Sequence, residues 1–421
     1  MQLPPLRILH TADWHLGISL EQHRRYAEQE AFIEEIARLA EDCKVHIVLI
    51  AGDVFDNENP PALAEEYYCR ALSLLARNGR KVVVIAGNHD HPGRLAAVAP
   101  LAEKSGIHII GQAPENPQTG ERSWRPEFFS LYLNGPNWPH PAMVLALPYP
   151  SEARLKNALA SPSLFSASPA ASDREEQLTY AEGVARLWAQ LSAFCRPQAV
   201  NLAVSHLFVF GSRTSDSERL LSVGGAFGVG ADVFPPGLQY IALGHLHRPQ
   251  AVPGAPAPCR YSGSPLAYSF SEAGQAKGVV LVEAEPGRPA RTEEIYLSAG
   301  RPLVRWRATE GYAQALAWCR EGRDADAWID LEIITPTPPT REEEERLREL
   351  RPHLIRLQVT VAGADAAGRE NHREPDYVLL PLEDLFRHFY RQQTGGEPDP
   401  ELVRLFLELA GDGESPEDQE S

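Results

Sequence analysis

Five short hydrophobic runs in this chain each end in a cluster of His, Asp or Asn. They are Leu9-His10-Thr11-Ala12-Asp13-Trp14-His15, Ala51-Gly52-Asp53-Val54-Phe55-Asp56, Ala86-Gly87-Asn88-His89-Asp90, Val204-Ser205-His206 and Leu243-Gly244-His245-Leu246-His247. A mixed set of carboxylate, amide and imidazole donors suits Mn2+, Fe2+ or Zn2+ rather than Ca2+. Asp13 and His15 stand two apart and share a side if the chain is extended there, so that they face one ion. Asp53 follows Ile47-Val48-Leu49-Ile50 and a glycine that permits a sharp turn, which makes it a candidate bridge between two ions. Asn88 offers an amide oxygen, and His206, His245 and His247 complete the set. Two cations about 3.5–4 Å apart activate a water and neutralise phosphate oxygens during in-line attack, the chemistry of phosphoester hydrolysis. His89, beside Asn88, is placed to protonate the leaving oxygen, with Asp90 orienting its imidazole.

The elements that must position these clusters are legible in the same pattern. Residues 7–11, 46–51, 81–86, 199–205 and 240–243 are short, rich in Val, Ile and Leu, and read as buried strands. Between the first three lie stretches with helical spacing, at 26–40 (Phe32, Ile33, Ile36, Leu39) and 62–76 (Leu63, Tyr67, Ala71, Leu74, Leu75). Alternating strand and helix predict a layered α/β core. In such cores ligands gather beyond the carboxyl ends of the strands, where all five clusters fall. His46, His108 and His353 stand alone and read as ordinary surface or core histidines.

A length of 421 residues predicts more than one domain. No apolar run approaches the roughly 18–20 residues that span a bilayer, and the start has no signal-like pattern. Five scattered cysteines without a CxxC pair point to a reducing, cytoplasmic setting. The net charge of −17 argues at first against a nucleic-acid partner. Residues 1–300 carry 25 basic and 31 acidic side chains, a balance of −6, and residues 301–421 carry 15 and 26, a balance of −11. Most of the acidity therefore lies outside the motif-bearing part, where bound cations reverse the local field. Arg24, Arg25, Arg213, Arg248 and Arg260 lie near the motifs but form no basic stripe.

Beyond about residue 300 the chain reads as a smaller α+β unit, with strand-like pieces at 327–334 and 355–361. Leu382, Leu385, Phe386, Phe389 and Tyr390, then Leu402, Leu405, Phe406 and Leu409, form two amphipathic stripes. Residues 161–172 are a low-complexity loop, and the acidic tail after Gly411 reads as disordered.

Asp-x-His, Gly-Asp-x-x-Asp, Gly-Asn-His-Asp, a lone His and Gly-His-x-His together resemble the calcineurin-like metallophosphoesterases, a superfamily of phosphatases and nucleases. The longer words at residues 8–17 and 242–250, with Tyr261-Ser262-Gly263-Ser264-Pro265-Leu266 and Ser269-Phe270-Ser271-Glu272, look like the D subunits of bacterial SbcCD nucleases. That resemblance runs essentially the whole length of the chain. It implies a manganese-dependent DNA nuclease, with exonuclease action on duplex ends and endonuclease action on hairpins or single strands, working in DNA repair and recombination. It further implies an SMC-like coiled-coil ATPase of the SbcC type as partner, and a homodimer within a heterotetramer. One ion would take Asp13, His15, Asp53 and His247, and the other Asp53, Asn88, His206 and His245, with His89 at the family's catalytic histidine. The expected organisation is a nuclease domain at 1–299, a capping domain at 300–375, a helical ATPase-binding segment at 376–410 and a disordered tail at 411–421. Residues 62–76 and 94–104 match the helices through which related nucleases dimerise. A phosphatase with another substrate shares the metal set but gives the terminal helices no role. A non-catalytic scaffold is expected to have lost Asp53, Asn88 or His89, all of which are present.

Overall fold

The computed structural model describes residues 3–113, 124–159, 179–218 and 228–361, with short stretches at 386–387, 398–399 and 402–404. The low-complexity loop, most of both terminal stripes and the acidic tail lie outside the described residues. The chain divides into a larger unit, residues 1–221 with 225–360, and a smaller one, residues 222–224 with 361–421.

In the larger unit β1 (Leu6–Thr11), β2 (Ile47–Ala51), β3 (Lys81–Ile85) and β4 (Ile107–Ile110) are parallel neighbours. Helices α1 (Tyr26–Asp42) and α2 (Ala62–Leu75) connect the first three. Every residue of β2 is buried because the strand is covered on both sides. Val48 and Ile50 face the layer of α1 and α2, whereas Ile47, Leu49 and Ala51 face a second sheet. That alternation is the period of two of a strand, applied to a strand with no polar face.

The second sheet holds β5 (Ser130–Leu133), β6 (Ala142–Leu147), β7 (Val200–His206), β8 (Tyr240–Gly244), β9 (Gln250–Ala251) and β10 (Cys259–Tyr261), in the order β9-β10-β8-β7-β6-β5. The chain then returns to the first sheet, where β11 (Gly278–Ala284) pairs antiparallel with β1 and β12 (Arg291–Tyr296) with β11. The five motif-bearing strands are thus divided between two sheets, three in one and two in the other, with one apolar core between them. Strand pattern alone does not assign a strand to a sheet, because both sheets bury both faces. On the outer side of the second sheet lies α4 (Tyr180–Ser192), which follows α3 (Glu152–Leu159). A capping box starts α4: Thr179 Oγ1 accepts from the Glu182 N–H and Glu182 Oε2 accepts from the Thr179 N–H.

Two expected helical details differ. The buried stripe of α2 is Ala64, Tyr68, Ala71, Leu72 and Leu75, so Leu63, Tyr67 and Leu74 are only partly covered. Both sides of this helix carry apolar residues, and Tyr68 wins the core position by packing edge-on against Phe55, 5.3 Å between ring centroids. The helix expected over 94–104 is instead four short turns between Pro92 and Ser105. Pro100 has no N–H to donate and restricts the residue before it, which interrupts a continuous helix.

After β12 come β13 (Leu303–Ala308), α5 (Tyr312–Glu321), β14 (Trp328–Thr335), α6 (Arg341–Leu350) and β15 (Leu354–Val361), with sheet order β13-β14-β15. Trp306, Ile329, Leu331, Ile333 and Leu347 give this part its own small core. It is tied to α1 through the buried Glu28 carboxylate, which accepts from Arg25, the Arg301 N–H and the Trp328 indole N–H. Among the described residues no helix is long and apolar enough to cross a membrane.

Candidate metal centre

The loops after β1, β2 and β3 and the ends of β7 and β8 converge on one buried pocket of side chains. Asp13, His15, Asp53, His206 and His247 are at most 2% exposed, and His89 and His245 are nearly as buried. The extended conformation expected between Asp13 and His15 does not form. Both residues are left-handed, with φ of 54° and 44°, as are Asp53 at 49° and His245 at 104°. Such backbone costs about 1–3 kcal/mol per residue and persists only where the surroundings enforce it. Here the loops are stitched together: the Asp13 N–H donates to Gly52 O at 3.0 Å, His15 to Asp53 O at 3.0 Å and Leu16 to Val54 O at 2.8 Å. Gly52, itself at φ 88°, leaves the room that a Cβ would take from the His206 ring, and a Cβ on Gly87 would strike the Asp53 carboxylate.

Asp53 Oδ2 lies at the middle of the cluster, 3.7 Å from His15 Nε2, 3.4 Å from His206 Nε2 and 3.9 Å from His89 Nε2. On one side Asp13, His15 and His247 bring ligand atoms within 4.8 Å of one another, and on the other Asp53, His206 and His245 do the same. Asn88 belongs with the second group, its Oδ1 2.8 Å from His206 Nε2 and 3.0 Å from His245 Nδ1. All seven expected ligands are therefore brought together, with Asp53 between the two groups.

The donor chemistry fits divalent cations. His206 Nδ1 sits 2.9 Å from Ala51 O, and a carbonyl only accepts, so Nδ1 carries the proton. In the neutral ring Nε2 then points a lone pair at Asn88 Oδ1 and Asp53 Oδ2, three acceptors converging on one place. His15 Nε2 and His247 Nε2 face each other at 3.0 Å in the same way. Asp13 Oδ2 and His15 Nδ1 are buried without a hydrogen-bond partner.

Charge in the metal-free cluster shows the same demand. Burial, and then the charge of Asp53, push Asp13 up to about 7 against the pull of His206 and His247. Burial acts on Asp53 in the same sense, but His206 foremost holds it well below the usual carboxylate range. Burial lowers His206, yet Asp53 outweighs it and carries this imidazole up to about 9. Burial, with His206 beside it, takes His245 down to about 3, and burial holds His15 well below the ordinary histidine value. Positive charge is wanted at the cluster, and in the metal-free chain protons supply it, held against the cost of burial on His206 by Asp53 and favoured on His247 by Glu272 and Asp13.

His89 stands at the rim, its ring 4.7 Å from that of His15. Its Nδ1 is 2.7 Å from the Asp56 carbonyl, so Nε2 is the nitrogen left to exchange a proton. The orienting role expected of Asp90 is not what the structure shows. The Asp90 carboxylate accepts three backbone N–H groups, those of Val54 (3.2 Å), Phe55 (2.9 Å) and Gly87 (2.9 Å), and so clamps the second loop to the third. Main-chain donors so close to a carboxylate outcompete a neighbouring ring, and Asp56 orients His89 instead.

A family model for calcineurin-like phosphoesterases matches residues 6–249, and one described as the type 5 capsule protein repressor C-terminal domain matches residues 299–394. The D subunit of the SbcCD nuclease of Bacillus subtilis (strain 168) is 42% identical over 407 residues, covering 96% of this chain and 98% of that protein. This chain belongs to the family of SbcCD nuclease D subunits, within the calcineurin-like phosphoesterases. The corresponding D subunits of Rhodobacter capsulatus and Escherichia coli (strain K12) are 35% and 29% identical, over 71% and 78% of both chains. As a calcineurin-like phosphoesterase it binds divalent metal, and the converging acceptors are the atoms suited to it.

In this member of the SbcCD nuclease family, motif spacing gives no sign of a layer beneath His247. Glu272, Lys277, Ser217 and Glu218 are drawn together there. Glu272 ends the word Ser269-Phe270-Ser271-Glu272, but one acidic residue near the end of a loop carries no spacing signal. Tyr268, whose hydroxyl donates to the carbonyls of Asp13 (3.0 Å) and Trp14 (2.6 Å), is equally silent. Arg25, by contrast, is withdrawn from any DNA surface, since it is 2% exposed and held by Glu28. The lone His46 accepts from the Arg7 N–H at 3.0 Å, away from the cluster.

Proposed function

We propose that this chain is a two-metal DNA nuclease, the D-type component of an SbcCD-like complex, cutting phosphodiester bonds at duplex ends and in hairpins or single strands. The observation that carries this reading is the 42% identity to the D subunit of an SbcCD nuclease across 96% of the chain, joined to a complete set of converging donors. Asp13, His15, Asp53 and His247 would hold one ion and Asp53, Asn88, His206 and His245 the other, Mn2+ being the preferred metal. Bound there, the cations supply an activated water and neutralise charge on the phosphate oxygens.

The residues of the chain do the rest. Asp53 joins the two groups of ligands and, through Oδ1, accepts the His89 N–H at 2.9 Å, which fixes the acid relative to both. His89 delivers a proton from Nε2 to the departing oxygen while Asp56 O holds the ring by Nδ1. Asp90 keeps the two loops that carry Asp53 and His89 in register.

The partner in this reading is an SMC-like coiled-coil ATPase of the SbcC type, bound by the amphipathic segment at 376–410, with 300–375 as a capping domain. Two copies would pair through α2 and the turns after it, where Leu101 is 79% exposed, to give a heterotetramer. The five cysteines are free, which fits the cytoplasm. Without a basic stripe, the isolated chain is expected to bind DNA weakly and to borrow affinity from the ATPase.

Digestion of linear and hairpin DNA with Mn2+, beside a phosphomonoester, tests the proposal. DNA cleavage lost on chelation is expected. Hydrolysis of the monoester with intact DNA would point instead to a phosphatase of the same superfamily.

A further inference from the structure

The ring of His247 is held from behind by a buried chain of groups. Its Nδ1 lies 2.7 Å from Ser217 Oγ, and Ser217 Oγ lies 2.5 Å from Glu272 Oε1. Glu272 has no exposed surface, and its second oxygen takes the ammonium of Lys277, itself 9% exposed. Lys277 spends its other two protons on the carbonyl of His247 at 2.8 Å and on Ser264 Oγ at 3.0 Å. Glu218 Oε1 accepts the backbone N–H of His247 at 2.8 Å, so main chain and ring are fixed together.

These contacts have only one consistent direction. A carboxylate next to an ammonium is ionised and only accepts, so the Ser217 hydroxyl donates to Glu272. The lone pair that remains on Ser217 Oγ must then accept from His247, which places the ring proton on Nδ1. Nε2 is left bare, on the side of Asp13 and His15 where the first metal would lie. A donor in place of Glu272 would reverse the chain: Ser217 would donate to Nδ1, and the ring proton would move to Nε2 and block it.

We infer that Glu272, locked by Lys277 and acting through Ser217, is a positioning residue that sets the tautomer of His247 and thereby readies one of the two metal sites. The inference rests on the two-metal reading above. Outer partners of metal-ligating histidines are commonly worth 10–100-fold in affinity, about the range expected here.

Glu272→Gln is the informative change. Lys277 holds the amide oxygen, which turns the NH2 toward Ser217 and reverses the relay without altering size. Full-length chain stripped of metal is titrated calorimetrically with Mn2+, and the ring nitrogens of His247 are read by 15N NMR. Wild type should bind two ions and show an Nδ1–H ring. E272Q should show an Nε2–H ring and bind one ion about 10–100-fold more weakly, the other unchanged. Ser217→Ala leaves the Glu272–Lys277 pair in place, and Glu272 Oε1 is 3.7 Å from Nδ1, near enough to close in, so a smaller loss is expected. If wild type binds two ions and E272Q binds both as tightly with the same ring tautomer, the positioning role is overturned while the metal reading stands. If wild type binds no Mn2+, both fall together. A greater loss in S217A than in E272Q would also overturn the inference.

Discussion

The Nε2 atoms of His15 and His247 lie 3.0 Å apart, two ring nitrogens from opposite ends of the motif set facing each other with Asp13 beside them. His15 comes from the first loop and His247 from beyond β8 in the other sheet. The site thus spans the two sheets, and the core between them fixes its dimensions.

Asp53 is the residue whose loss should be felt on both sides. Asp53→Ala is expected to weaken Mn2+ binding by more than about 100-fold, the upper range for mere outer partners of ligands. Calorimetric titration checks this, and two undiminished binding events would remove Asp53 from its bridging place.

In the proposed mechanism His89 contributes a proton and is not needed as a ligand, although its ring nitrogen also lies within reach of His15 and Asp53. His89→Ala should lower kcat by about 10²–10⁴-fold while the metal content measured by mass spectrometry stays at two per chain. Full nuclease activity in this variant would end the assignment of the acid.

Asp90 acts through the backbone, so its removal should register first as lost stability. Three amide N–H groups left without their carboxylate predict that Asp90→Ala lowers the unfolding free energy in urea by about 2–3 kcal/mol. A residue that merely oriented His89 would leave the urea midpoint unchanged.

The metal-free chain should lose stability as pH rises from about 4 through neutrality. Burial, and then Asp53, raise the folded pKa of Asp13 to about 7, above its value of about 3.9 in an unfolded chain. A raised carboxyl contributes stability that is complete below the unfolded value and lost as pH climbs through the folded one. Urea unfolding in chelator should therefore show wild type weaker at pH 8 than at pH 6. Asp13→Asn should reduce that difference without abolishing it, because His206, carried against burial up to about 9 by Asp53, also gives up stabilisation over this interval. Saturating Mn2+ should reverse it.

Much of this site is open to reading because each ligand follows an apolar strand at its carboxyl end. Asp13, Asp53, Asn88, His206 and His245 announce themselves by that position, and the parallel strands carry them to one edge. The left-handed turns at Asp13, His15 and Asp53 are hidden, since Asp and His tolerate that backbone more readily than other side chains but adopt it in only a small share of cases. The split into two sheets is hidden because strands buried on both faces look alike. Asp90 misleads by standing next to His89, whereas its hydrogen bonds run 35 and 36 residues back to Phe55 and Val54. Glu272 and Lys277 lie 25 or more residues from any metal motif and meet His247 only once β11 has returned to the first sheet.

The most direct test is anomalous diffraction at the manganese edge from crystals of the full chain grown with Mn2+. Two peaks about 3.5–4 Å apart are predicted, both within bonding reach of the Asp53 carboxylate. A single peak, or a second that does not touch Asp53, would contradict the two-metal centre.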